Sequence, residues 1–289
     1  MESSDRVPIR KRGSVILLIT IIVLSGAFVF FIIPRAFIGT DLTERVAVID
    51  SGMDENSILS PRIVAQKSFI NTSYGYESDD PSLGDSEPNG RKHGTYVASI
   101  IAQEASHAAI INAKVISAED IATTRGIIAA IQWSIEQNCT VINLSLGGTP
   151  TITSTLRETI ERAFHQGISI IAAVGNGGLN GISGTSIESP AAYPEVIGVA
   201  ALNENNEPFS FSGRGPYYAR SLKPDISAKG FYTSGSTTLL GTSYAAPIVS
   251  AGVARIIRYC REQNWDWTPG MIKAALMMGA QYSPFEYWE

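Results

Sequence analysis

Asp50, His93 and Ser243 stand in three short stretches: V-A-V-I-D-S-G at 46–52, H-G-T-Y-V-A at 93–98 and G-T-S-Y-A-A-P at 241–247. A carboxylate, an imidazole and a hydroxyl together can run acyl transfer. A serine hydroxyl is a poor nucleophile at neutral pH and needs a base to take its proton as it attacks. An imidazole exchanges protons readily near pH 7, which suits His93 to that task. The ring must be held in one tautomer and its charge stabilised once protonated. A buried carboxylate on the far ring nitrogen does both, and Asp50 is the candidate. Each of the three has a suitable backbone context. Asp50 closes an apolar run at a Ser-Gly break, His93 precedes Gly-Thr and an apolar helical run, and Ser243 opens an Ala-rich helix.

The chain order acid, base, nucleophile is one of several in which this constellation recurs on unrelated folds. In that order and with these flanks, the chain resembles the subtilisin-like serine proteases, from about Arg45 to Ala280. The resemblance implies a second set of residues. I-S-I-I-A-A-V-G-N-G-G at 168–178 matches the stretch whose Asn donates to the oxyanion, here Asn176 beside Gly175, with the Ser243 N–H as second donor. I-N-L-S-L-G-G at 142–148 matches the strand that pairs with the substrate backbone, which assigns Ser145, Leu146, Gly147 and Gly148 to substrate binding. S-P-A-A-Y-P at 189–194 matches a pocket-forming turn, and Glu188 before it falls towards the floor of the pocket for the side chain preceding the scissile bond. A carboxylate there is unfavourable unless paired, so a basic substrate residue is expected. Tyr96 and Ser99 depart from the His and Gly that members usually carry, which touches helix packing only.

Alternating apolar runs and helical patterns predict βαβ units and a parallel sheet. Strands are expected at 45–50, 62–70, 108–116, 141–146, 168–174 and 195–202, and helices at 94–103, 123–138, 152–166, 242–260 and 269–279. With the resemblance, the expected architecture is a three-layer α/β/α sandwich with a mostly parallel subtilisin-like sheet. Asp50 and Asn176 then follow strand ends and His93 and Ser243 precede helices, all on the rim where open α/β sheets hold their sites.

Residues 14–33 contain no charge and match the roughly 20 residues a bilayer-spanning helix needs. Arg6, Arg10, Lys11 and Arg12 precede them and only Arg35 follows closely, which predicts a cytoplasmic N-terminus and an extracytoplasmic catalytic domain. The organisation expected is therefore a basic N-terminus (1–13), a signal-anchor helix (14–33), a linker (34–44) and a catalytic domain (45–289). A cleaved signal peptide is the rival, with a small-residue site at Ser25-Gly26-Ala27. Cleavage there would free a Phe-Val-Phe-Phe-Ile-Ile terminus, so the anchor is preferred. Between Ile33 and Val46 there is no room for the propeptide common in the resembled family, so unaided folding or a separate chaperone or inhibitor chain is expected.

A net charge of −5, with no basic cluster beyond residue 12, argues against nucleic acid. No metal-binding or cofactor motif is present. The acidic, turn-rich segment 71–90 could bind calcium but reads as a solvated loop, so no cofactor is expected. Cys139 and Cys260 are expected as buried free thiols at the rim opposite the site, and His107 and His165 as surface residues. The function expected is a serine endopeptidase acting on extracytoplasmic proteins or peptides. The alternative is a catalytically silent pseudoprotease that binds peptides or scaffolds at the membrane surface.

Overall fold

A computed structural model describes residues 42–70, 82–85, 92–148, 154–178, 186–215 and 222–281. Seven strands form one sheet: β1 (Glu44–Asp50), β2 (Ile63–Ser68), β3 (Ala108–Lys114), β4 (Val141–Leu144), β5 (Ser169–Ala173), β6 (Val196–Leu202) and β7 (Ile226–Lys229). Their order is β2-β3-β1-β4-β5-β6-β7 and every pairing is parallel. From β1 the chain passes to the edge strand β2, returns inward to β3 beside β1, then crosses to β4 on the other side of β1 and runs outward to β7. The order therefore reverses next to β1 and β4, the switch point at whose carboxyl ends open α/β sheets place their sites.

The central strands are apolar on both faces because helices cover both. Val46, Val48, Ile110 and Ile171 pack against α1 (His93–Glu104), α4 (Thr242–Glu262) and α5 (Pro269–Gly279). Ala47, Ile49, Ile111 and Ile142 pack against α2 (Thr124–Glu136) and α3 (Ser154–His165). The result is the expected three layers. Thr123 caps α2 by accepting from Gly126 N–H, and Thr268 caps α5 ahead of Pro269. Gly167, two residues past α3, takes the left-handed φ of +87° that its position requires.

Three strands lie outside the expected set. β7 has only four residues, and the β8 (Phe231–Ser234)/β9 (Thr237–Leu240) hairpin is partly exposed and rich in Thr and Ser, so neither carries a strong apolar period. His107 also departs from expectation. The link from α1 to β3 is too short to leave the surface of α4, and His107 is buried with its Nε2 3.4 Å from Ala254 O. Burial pushes its pKa down to about 4. His165 is exposed as expected. Cys139 and Cys260 are both buried and unpaired, and burial pushes the Cys139 thiol up to about 12. Among the described residues no helix is long and apolar enough to cross a membrane. The span expected at 14–33 lies outside the described residues.

Candidate active site

Five segments converge on the carboxyl-end rim. β1 delivers Asp50 as its last residue, and α1 begins with His93. β4 ends just before Ser145, and β5 ends just before the loop that holds Gly175 and Asn176. Ser243 is the second residue of α4. The sequence separates these residues by up to 193 positions (243 minus 50), and the parallel sheet brings them to one edge.

Asp50 is fully buried, and its Oδ1 lies 2.8 Å from His93 Nδ1. A carboxylate only accepts, so Nδ1 carries the proton and Nε2 is left as the basic nitrogen. The same Oδ1 accepts the Ser51 N–H at 2.8 Å. The His93 ring lies 5.6 Å from that of Tyr244, the residue after Ser243.

A polar ladder fixes the start of α4 against β4. Pro247 lacks the N–H that would bond the Ser243 carbonyl four residues earlier. Ser145 Oγ donates to that carbonyl instead, at 2.8 Å. Ser145 Oγ accepts from Asn143 Nδ2 at 2.9 Å, and Asn143 Oδ1 accepts from Ser250 Oγ at 2.8 Å. Ser243 Oγ donates to the Ser145 carbonyl at 2.9 Å.

Asn176 is oriented by its oxygen. Its Oδ1 accepts from Thr242 N–H at 3.0 Å and from Thr242 Oγ1 at 3.1 Å, which turns the Nδ2 donors the other way. The Tyr244 N–H goes to Gly241 O at 3.1 Å. Between these, the Ser243 N–H has no acceptor among the described residues and stands at the positive end of the α4 dipole. The two groups expected to donate to an oxyanion are thus the Asn176 side chain and the Ser243 N–H.

Glu188 lies between the loops that carry Gly147 and Gly175. Its carboxylate is wedged between two glycines, since a Cβ on Gly147 or on Gly175 (φ +99°) would collide with it. Gly148 and Ser189 form an antiparallel bridge, with N–H to O distances of 3.1 and 3.0 Å, that holds the two walls together. Burial raises the Glu188 pKa, and the Asn176 N–H opposes this by donating to the carboxylate. Gly147 and Gly148 are exposed and Leu146 is half-buried.

Sequence reasoning missed several positioning groups. Tyr96 packs at a tilt against Tyr232 of β8, with ring centres 5.2 Å apart, and Tyr232 stacks 6.3 Å from Tyr244, so an aromatic row backs His93. Segment 82–85, read as part of a solvated loop, tucks under the end of β1. The Met53 N–H donates to Leu83 O at 3.0 Å and Lys114 Nζ to Gly84 O at 2.9 Å. The remainder of 71–90 lies outside the described residues. Among the described residues no group of three or more His, Cys, Asp or Glu could hold a metal ion.

The profile of the subtilase family matches residues 43–287. Subtilisin E of Bacillus subtilis is 32% identical over 248 residues, covering 82% of this chain and 60% of its own. The subtilisin of Bacillus pumilus is 32% identical over 255 residues, covering 84% of this chain and 86% of its own. This chain thus spans about three fifths of the first relative's length and most of the second's. A crystal structure of a cold-adapted subtilisin-like serine proteinase superposes with a TM-score of 0.62 at 28% identity, covering 80% of this chain and 79% of that one.

Proposed function

Because the chain belongs to the subtilase family, we propose that it is a serine endopeptidase whose catalytic residues are Asp50, His93 and Ser243. The observation that carries this reading is the buried Asp50–His93 pair at 2.8 Å, on the rim that also holds Ser243. Ser243 Oγ leaves the Ser145 carbonyl, attacks the scissile carbonyl carbon and passes its proton to His93 Nε2. Asn176 Nδ2 and the Ser243 N–H hold the oxyanion. Collapse breaks the C–N bond, and the proton on Nε2 goes to the departing amine. Water then repeats the sequence on the acyl-enzyme and restores Ser243. Throughout, Asp50 keeps the ring in its tautomer and stabilises the imidazolium.

Residues 14–33 are proposed as a membrane anchor with the catalytic domain outside the cytoplasm. Asp50 and the rim stand at the far end of β1 from the chain's entry at Glu44. This geometry supports a cleft turned from the lipid towards soluble or protruding substrates. A fluorophosphonate probe on fractionated cells expressing the full chain tests both parts. Labelling in the membrane fraction that vanishes in Ser243→Ala is expected. Folded wild-type protein that does not label would favour the pseudoprotease instead. Label found only on a shortened soluble form would remove the anchor.

The walls around Glu188 support a preference for Lys or Arg immediately before the scissile bond, through a charge-assisted hydrogen bond. Glu188→Gln is expected to reduce that preference by about tenfold on a peptide library, one charged contact's worth. Only the ionised carboxylate pairs with the cation, and burial raises the Glu188 pKa. The wild-type preference should therefore fade as pH falls through that raised value, while apolar substrates keep theirs. Identical profiles for the two proteins, or a wild-type preference for large apolar residues, would end the idea.

A further inference from the structure

Neither Asp85 nor Ser51 takes part in the chemistry proposed above, yet they link the two segments that carry Asp50 and His93. Asp85 Oδ1 accepts from Ser51 Oγ at 2.7 Å. Asp85 Oδ2 accepts from the Thr95 N–H at 2.8 Å and from Thr95 Oγ1 at 2.7 Å. Ser51 Oγ accepts from the Gly94 N–H at 3.0 Å. Ser51 Oγ also lies 3.2 Å from Asp50 Oδ1, but a hydroxyl has one proton and the shorter contact to Asp85 takes it.

These bonds fill a gap that the sequence leaves at the start of α1. A helix needs acceptors for its first N–H groups, and Lys92 at the N-cap supplies no side-chain bond. Ser51 Oγ and Asp85 Oδ2 take the N–H groups of Gly94 and Thr95 from outside the helix. The first turn of α1, with His93 on it, is thereby tied to the residue that follows Asp50. Asp85 is itself fixed, since its N–H donates to Asp54 Oδ1 at 3.1 Å and the preceding Gly84 O is held by Lys114. Gly52 (φ +98°) leaves no room for a side chain against this strip. Besides the Ser51 N–H and His93 on Oδ1, the Asp50 carboxylate has no partner on its Oδ2 among the described residues.

We propose that Asp85 is a positioning residue for the Asp50–His93 pair, acting through Ser51 and the first turn of α1. The inference rests on the triad reading given above. Every contact to the Asp85 side chain comes from a donor, so it acts as a carboxylate, and it adds a second negative charge beside Asp50. The charged and titratable groups around it are Asp50 on β1, Asp54 paired with Lys92 at 2.7 Å, Lys114 at the end of β3, and His93. Burial and the neighbouring Asp50 raise the Asp85 pKa, and the donors from Thr95 and Ser51 oppose this. The charge of Asp85 should in turn favour protonated His93.

The test is the pH profile of kcat/KM for full-length wild type, Asp85→Asn, Ser51→Ala and the double variant, with the thermal midpoint of each. Asparagine keeps the shape and removes the charge. Asp85→Asn is expected to lower kcat at least about tenfold with KM within about twofold. The acid limb of its profile should move to lower pH by about half a unit. The double variant should be no slower than the worse single one, because the two residues act as one link. A merely structural role would lower the thermal midpoint and leave the limb of the folded protein in place, which would overturn the proposal. So would a wild-type kcat in Asp85→Asn, or losses that multiply in the double variant. If Asp85→Asn does not fold, Ser51→Ala decides, since it cuts the link to Asp50 and leaves the Thr95 bonds intact. Wild-type kcat there would overturn the proposal too. An inactive wild type would instead sink the triad reading.

Discussion

Ser243→Ala is expected to lower kcat about a million-fold, the loss that subtilisin itself shows when its nucleophile is removed. His93→Ala should match it, and the double variant should be no worse. Without the base the hydroxyl keeps its proton, and without the hydroxyl the base has nothing to activate, so either change removes the same step. Asp50→Asn should lose less, about ten-thousand-fold, because the base survives in the wrong tautomer. The activity remaining in these variants would come from the two anion donors. Asn176→Ala in the otherwise intact enzyme should therefore cost about 10²–10³ in kcat, roughly 3–4 kcal/mol, with KM little changed. KM stays because the donors meet the oxyanion and not the resting carbonyl. Measured kcat and KM on one peptide substrate decide the matter. Ser243→Ala keeping more than about a hundredth of wild-type kcat, or losses that multiply in Ser243→Ala/His93→Ala, would refute the assignment.

What was legible in the sequence follows from how local each signal is. V-A-V-I-D and I-I-A-A-V are buried on both faces, and such runs announce central parallel strands without help from the rest of the chain. The starts of α1 and α4 were legible because Gly-Thr flanks the residues that open them. The Asp50–His93 pairing was legible because V-A-V-I-D-S-G, H-G-T-Y-V-A and G-T-S-Y-A-A-P stand in one chain order, which none of the three residues signals alone. Glu188 was legible only through the turn that follows it. Its contact with Gly147 and Gly175 depends on two loops from different strands meeting. Asp85 was not legible at all. It sits among other acidic residues, and composition gives no sign that one of them turns inward beneath β1. His107 failed because tertiary burial outweighed a polar local pattern, and the β8/β9 hairpin because its partly exposed, Thr- and Ser-rich strands carry no apolar period.

Asp225→Ala is expected to destabilise the fold by about 3–5 kcal/mol, the range for breaking a buried ion pair from one side. The Asp225 side chain is 4% exposed and serves two ammonium groups, Lys223 at 2.5 Å and Lys273 of α5 at 2.7 Å. It also accepts the Gly198 N–H at 2.7 Å, while Lys223 and Lys273 both donate to Val196 O, at 2.6 and 3.2 Å. The cluster thus ties α5 and β7 to the beginning of β6, just after the turn that carries Glu188. The Lys223 side chain has no exposure, and its pKa is held down to about 8, by burial first and by the Lys273 charge against the pull of Asp225. Removing Asp225 leaves that charge buried with no counter-charge. Lys223 binds its proton less tightly folded than unfolded, where its pKa is ordinary, so the unfolded chain holds more protons between about pH 8 and 10.5. Stability from this group therefore rises with pH across that window and is absent below it. In Asp225→Ala the Lys223 pKa should fall further, and the window should extend downwards past neutrality. Adding Lys223→Met should recover a large part of the loss, because an apolar side chain of similar length replaces the stranded cation. Denaturant midpoints of the two variants at pH 7 and pH 10 test this. A loss under about 1 kcal/mol in Asp225→Ala would show that the cluster holds no net stability. No recovery in Asp225→Ala/Lys223→Met would mean that the lost bond to Gly198, and not the stranded charge, sets the penalty.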